Sequence, residues 1–414
     1  MAGGQWAAQL PPAVQRNLRW FLTDGLFAQV AESISLAYLS LYVLSLGATR
    51  GQIGLMTSLA SLSAALLLLP GAGLARRADQ RQRVALASGT AARVALLLLA
   101  LIPFAFSGQT LVTVAIALAV IRETLANLAL PAWTALTGDI VPLAWRGRYF
   151  GMRNMAMGVV GITTTLLVGR AIVSIGGESG YQWALIFAFI TGLAATFSFA
   201  QIKPPVVAAE AEAAPGGDAP LLQRLRANPQ FIAFCGAAAV WNFSLYVAGP
   251  FFNVYVIEKL GGDALSVGWL SVVSSIAALP GQRIFGALTD RWGPRRVQLA
   301  TTALIPILPI AWLFVREPWH VVPINLLAGF LWAGYLIASL NNLLILAPQD
   351  ERARFSAVHQ MVVMGSLAAG AAVGGWVVTE WGYLIVFMLS GIGRWLAALV
   401  LWRFTRAAPP AAMG

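Results

Sequence analysis

Charged side chains make up only 10% of this 414-residue sequence, and reactive groups are fewer still: one cysteine, Cys235, and two histidines, His320 and His359. The lone cysteine excludes an intramolecular disulfide and a metal site built from several cysteines, and it reads as a small core residue. No His-Glu-x-x-His pair, no phosphate-cradling loop ending in Gly-Lys-Ser/Thr and no serine elbow occurs, so neither an enzyme nor an ATP-driven pump is indicated. No metal and no cofactor is expected.

What replaces charge is apolar surface, at 59% of residues, far above an average soluble domain. A helix needs about 20 apolar residues to cross the hydrocarbon core of a bilayer, and such stretches follow one another with short polar breaks. About twelve are expected, at 20–45, 52–75, 84–106, 110–131, 149–174 and 181–201, then 230–257, 265–288, 297–315, 320–346, 354–378 and 383–403. Their lengths predict helices, since a barrel strand crosses in about 10 alternating residues. The first stretch follows a polar start and is long enough to remain as a span, so no cleavable signal is read there.

The net charge of +11 is not gathered into a nucleic-acid-binding face. Basic residues fall in alternate loops: Arg16 and Arg19; Arg76, Arg77, Arg81 and Arg83; Arg146 and Arg148; Lys203, Arg224 and Arg226; Arg291, Arg295 and Arg296; Arg352 and Arg354; Arg403 and Arg406. The loops between them hold little more than Arg50, Lys259 and Arg316, so the positive-inside rule places both termini in the cytoplasm of a multi-pass inner (plasma) membrane protein.

A segment rich in Pro, Ala, Gly and acids divides the chain into residues 1–201, a cytoplasmic linker at 202–228, and residues 229–414. Leu221, Leu222 and Leu225 beside Arg224 and Arg226 suggest a short interfacial helix in the linker. The two halves repeat each other. Pro142, Arg146, Arg148 and Tyr149 recur as Pro348, Arg352, Arg354 and Phe355 at the same internal spacing, and Gln52, Ile53, Gly54 pair with Ser266, Val267, Gly268.

The loop Gly286, Ala287, Leu288, Thr289, Asp290, Arg291, Trp292, Gly293, Pro294, Arg295, Arg296 resembles the loop signature of the major facilitator superfamily. Its first-half copy is degraded: Gly73 fits, but Arg77 stands where the acid belongs, with Asp79 two residues later. The resemblance implies an all-α membrane protein of twelve transmembrane helices in two six-helix halves, working by alternating access. On physical grounds Asp290 and its arginines are expected to form a charge cluster at helix ends that gates the cycle; an orientation signal and helix cap is the plainer alternative. Residues 151–176 contain no proline, unlike the Gly-Pro motif on the fifth span of the drug and proton antiporters.

Ionisable groups at membrane depth are costly and ask for a partner or a role. Asp24, Glu32, Arg122 and Glu123 stand out in the first half, and Arg122 matches the arginine that the resemblance links to proton transfer. Residues 122 and 123 point about 100° apart on a helix, so they need not share a partner. The expectation is that Glu32 or Glu123 alternates between protonated and Arg-paired forms. A fixed buried ion pair is the plainer alternative. The equivalent depth of the second half is read as uncharged, with Trp241, Asn242, Tyr246, Asn325, Trp332 and Tyr335 as candidate cavity residues. Aromatics at such spacing also serve simply as packing. Arg394 is read as snorkelling or internally paired, Arg93 and Arg153 as helix-end residues, and the histidines as span-end groups without a sensing role.

Taken with the resemblance, a monomeric transporter of a small solute is expected, coupled to protons and exporting an amphipathic or lipophilic compound. Uptake or exchange of a polar solute or organic anion, with Arg122 as binding charge, is the alternative. A non-transporting receptor or assembly factor on the same fold is a further one.

Overall fold

A computed structural model describes residues 10–74, 78–141, 146–203, 221–348 and 352–405, and among them every regular element is helical. The long helices are α1 (Pro12–Ser45), α2 (Arg50–Leu74), α3 (Ala78–Leu101), α4 (Gly108–Ile140), α5 (Arg146–Ile175) and α6 (Gly177–Ala200). They continue as α7 (Pro229–Glu258), α8 (Ala264–Trp292), α9 (Pro294–Phe314), α10 (Val321–Leu346), α11 (Arg352–Trp381) and α12 (Tyr383–Phe404). Eleven are long and apolar enough to cross a membrane among the described residues. The remaining one, α2, has 25 residues and so reaches about 37 Å, beyond the roughly 30 Å hydrocarbon thickness. The twelve-helix expectation holds.

Proline and glycine set the joints. Pro12, Pro229 and Pro294 open their helices, where a missing N–H costs nothing. Asn228 caps α7 by accepting from the Phe231 N–H at 3.1 Å. Pro250, lacking its donor, turns α7 into a short 3-10 stretch at Gly249–Phe251 before the helix resumes. Gly293 ends α8 with φ +80°, a conformation that L side chains adopt at a penalty. A short helix, Leu221–Arg226, stands where the linker reading placed one; residues 204–220 lie outside the described residues.

The helices gather into two compact units, one of α1–α6 with the short segment Gly262–Trp269, the other of the remaining helices from α7 to α12. The duplication is visible in which helices touch. In the first unit α1 packs on α5 and α6, and α3 on α4 and α6. In the second, α7 packs on α11 and α12, and α9 on α10 and α12. Each pairing repeats six helices later. Close approach is made by small residues, as where Gly374 of α11 meets the Val247 carbonyl of α7 and Gly329 of α10 meets the Ser274 backbone of α8.

Candidate functional site

The first unit encloses a cavity of about 320 Å³, lined by Asp24, Gln29 and Glu32 of α1, Arg93 of α3, Arg122 and Trp133 of α4, Arg153 and Met157 of α5 and Thr196 of α6. Alanines and Gly89 fill the gaps between them, leaving room for the long polar side chains to cross. Arg122 is buried and donates to both Glu32 and Glu123, one guanidinium nitrogen to each. Adjacent in sequence though they are, Arg122 and Glu123 meet, because the arginine is long enough to reach around its own helix and across to α1. One cation held by two carboxylates leaves the triad with one net negative charge, and a proton on either acid makes it neutral. The Glu32 side chain is 58% exposed, against 7% for Arg122, so the acid is accessible from outside the packed helices and the arginine is not.

A second pair lies in the same cavity. Asp24 and Arg153 are 4% and 3% exposed, with Arg153 Nη2 at 3.8 Å from Asp24 Oδ2. Arg153 Nε donates to the Phe21 carbonyl at 3.3 Å. Its guanidinium sits over the Phe21 ring at 4.2 Å and the Trp133 ring at 5.6 Å, a cation–π cradle that offsets lost hydration. Any side chain at position 25 would collide with this guanidinium, so Gly25 is what lets it lie across α1. Arg93 donates to the Thr196 hydroxyl and lies within electrostatic reach of Asp24, Glu32 and Arg122. Reading Arg93 and Arg153 as helix-end residues is therefore corrected. The signal that could have found them is a charge count: Asp24, Glu32 and Glu123 match Arg93, Arg122 and Arg153 one for one.

The second unit assembles an aromatic cluster at the corresponding helices. Trp241 of α7 stacks on Tyr335 of α10 at 4.8 Å and 20°, and Trp332 meets both edge-on at 6.0 and 5.2 Å. Trp241 and Tyr335 are buried. The other three candidates are engaged differently. Asn325 donates to the Leu270 carbonyl at 2.9 Å and Asn242 to its own helix at Ala238, 2.8 Å. Tyr246 is half-buried beside Gly249. Nor is this half uncharged. Arg394 of α12 is 2% exposed, close to Tyr335, with no hydrogen-bond partner at Nε or Nη2. It neither snorkels nor pairs, which corrects both accounts of it. His359 lies near the start of the α11 span, stacked on Phe234 at 5.2 Å.

Where α8 meets α9, Asp290 and Arg291 in the last turn of α8 and Arg296 in the first turn of α9 are exposed, and no ion pair joins Asp290 to an arginine among the described residues. Arg295 instead closes the end of α12, donating to the Trp402 carbonyl at 3.0 Å and the Thr405 carbonyl at 2.7 Å. Gly286 has open space where a side chain would stand. Gly73 and Asp79 of the degraded copy fall in 68–81, whose side chains lie outside the described residues.

Comparison with known proteins accords with this architecture. A family model described as Major Facilitator Superfamily matches residues 25–257 and 242–412. Among curated proteins the chain is similar to the multidrug resistance protein MdtG of Dickeya zeae (strain Ech586), 26% identical over 157 residues, 37% of this chain and 38% of that one. It is also similar to MdtG of Salmonella typhimurium, 25% identical over 162 residues, 38% of this chain and 40% of that one. The match thus spans about two fifths of these curated relatives. Among solved structures the nucleoside transporter NupG has a TM-score of 0.77 at 14% identity, covering 94% of this chain and 100% of that chain. A bacterial homologue of the iron transporter ferroportin has a TM-score of 0.74 at 13% identity, covering 95% and 99%. At such identity the likeness is one of fold.

Proposed function

The chain belongs to the Major Facilitator Superfamily, a multi-pass membrane transporter of small molecules, and from that premise we propose that it exports an amphipathic or lipophilic compound in exchange for protons. The observation that carries this reading is the Glu32–Arg122–Glu123 triad, one cation between two acids on the wall of a cavity. A charge set of this kind has two arrangements that differ by one proton. With a proton on Glu32, Arg122 is held by Glu123 alone; with the proton gone, it bridges both acids. Each arrangement presents the cavity with a different wall, which is what coupling requires: the proton and the solute must bias the same two-state element. Asp24 and Arg153 extend the network from the triad along α1 to α5.

The relatives named for multidrug resistance are in keeping with a transporter that handles drug-like compounds. The distribution of basic loops supports an inner (plasma) membrane setting with cytoplasmic termini, and a monomer suffices because one chain holds both units. In this reading the Gly286–Arg296 loop gates the cycle, Asp290 finding an arginine in another state. The alternative that gives Arg122 to a substrate anion must displace Glu32 or Glu123, which take one hydrogen bond each from Nη2 and Nη1, leaving Nε as the buried donor without a partner.

The test is proton flux in vesicles containing the purified chain and an entrapped pH dye. Addition of a transported lipophilic compound is expected to drive protons the opposite way, with no response to sugars or amino acids. Proton movement evoked by sugars or amino acids, or solute movement unaffected by collapsing the pH gradient, would overturn the proposal.

A further inference from the structure

The proposed coupling leaves one buried charge unused. Arg394 lies near the middle of α12, and the residues beside it face inward: Gly391 against Ile310 and Pro306 of α9, Gly393 against Ser244 of α7, and Ala397 in the core cluster with Trp241 and Tyr335. Arginine carries five N–H donors in a planar fork and cannot shed its charge. Here the Nε and Nη2 atoms are sealed from solvent with no acceptor, and no ion pair reaches the side chain among the described residues. The surrounding helices have no acid to offer at this depth. The only carboxylates in the sequences of α7, α9, α10, α11 and α12 are Glu258 and Glu380, near the ends of α7 and α11. Among the described residues the two other buried arginines, Arg122 and Arg153, each meet a carboxylate.

An uncompensated guanidinium inside a membrane protein is strongly unfavourable, and removal of its partner is not a state that packing alone sustains. A second orphan donor belongs to the same cluster. The Trp241 Nε1 is buried without a partner, and Trp241 stacks on Tyr335, which lies within electrostatic reach of Arg394 and packs in one core cluster with Ala397 of the same helix. Donors without acceptors call for a ligand that supplies only acceptors. A single positive charge is balanced by a single negative one, which favours a carboxylate over a phosphate dianion, and the guanidinium fork matches a carboxylate's two oxygens. The stacked and edge-on faces of Trp241, Trp332 and Tyr335 suit a flat apolar body attached to it.

We propose that Arg394 and the Trp241–Tyr335–Trp332 cluster form a substrate subsite for the carboxylate of an aromatic monoacid. The cargo is then an amphipathic organic acid, its anion held in the second unit while the first unit handles the proton. This deepens the export reading and rests on it.

The test uses the full-length purified chain in detergent, in chloride-free buffer, titrated with 1-naphthoate, its neutral amide 1-naphthamide, and chloride. Near-saturating naphthoate is expected to raise the melting midpoint by about 3 °C and to change tryptophan fluorescence, while the amide at equal concentration does neither and chloride stabilises less. Arg394→Met is expected to melt no lower than the native chain without ligand, and to lose the naphthoate response at least tenfold in apparent affinity; Arg394→Lys retains a weakened one. Equal responses to acid and amide, an undiminished response in Arg394→Met, chloride matching naphthoate, or no response of the native chain would each overturn the assignment. Carboxylate binding that fails while lipophilic compounds still drive protons sinks this inference alone. Binding that holds while proton flux is absent sinks the coupling proposal alone.

Discussion

The two units share a frame and differ in what they put inside it. In the first, three arginines and three acids balance around a polar-lined cavity. In the second, the same helix pairings enclose stacked aromatics and one arginine with nothing to meet it. Duplication has therefore preserved the backbone contacts, set by glycine and alanine at crossing points, while the polar contents have diverged. Helix packing tolerates such divergence because the side chains that seat one helix on another lie on a different stripe from those that face the unit's centre. The division of labour proposed above assigns charge movement to one unit and recognition of an apolar body to the other.

The comparison breaks most readily at Arg153. Arg153→Met leaves Asp24 buried without its cation, a loss expected to reach roughly 3–5 kcal/mol. Adding Asp24→Asn is expected to restore most of it, as read by unfolding in mixed micelles. If the single change costs nothing, the first unit is not a balanced charge set. The converse change in the second unit runs the other way. Arg394→Met removes an unpaired charge and is expected to stabilise the ligand-free chain by roughly 1–4 kcal/mol, measured in the same unfolding series; a loss would mean that Arg394 has a partner within the fold. The shared frame is tested at Gly374, where any side chain meets the Val247 carbonyl. Gly374→Leu is expected to cost roughly 1–3 kcal/mol by overpacking, visible as a lowered melting midpoint, whereas Gly365→Leu, with nothing nearby, leaves it unchanged. Smallest is Asp290→Asn, an exposed site expected to change stability by less than about 0.5 kcal/mol while slowing transport if the loop gates the cycle. Unchanged transport rates would return that loop to a purely topological role.

Much of this frame was legible before any coordinates. Twelve apolar stretches announce twelve helices, since a backbone in hydrocarbon must satisfy its own hydrogen bonds. Their ends were less so: α1 begins at Pro12, ahead of the expected position 20, because Arg16, Asn17 and Arg19 continue the helix outside the apolar window. Glu32, Arg122 and Glu123 were found as acids and a base at membrane depth, and the structure joins all three. Arg93, Arg153 and Arg394 were passed over because sequence gives depth along a helix but not the direction a side chain takes. That direction depends on the neighbours: Gly25 opens the space into which Arg153 turns, and Ser390, donating to the Ser244 carbonyl at 2.6 Å, fixes the inward face of α12 from which Arg394 projects. Trp241, Trp332 and Tyr335 were legible as aromatics on α7 and α10. Their stacking was not, because it is a contact between elements.

The central claim is that the first unit's triad moves a proton with the solute, and it is tested most directly by comparing two transport modes in one variant. Glu32→Gln keeps an acceptor beside Arg122 but no titratable proton. In reconstituted vesicles it is expected to retain exchange of labelled for unlabelled cargo at equilibrium, while losing uphill movement driven by a pH gradient. Uphill movement that survives in Glu32→Gln, and again in the Glu32→Gln, Glu123→Gln double variant, would contradict the account and leave the triad as a fixed ion pair.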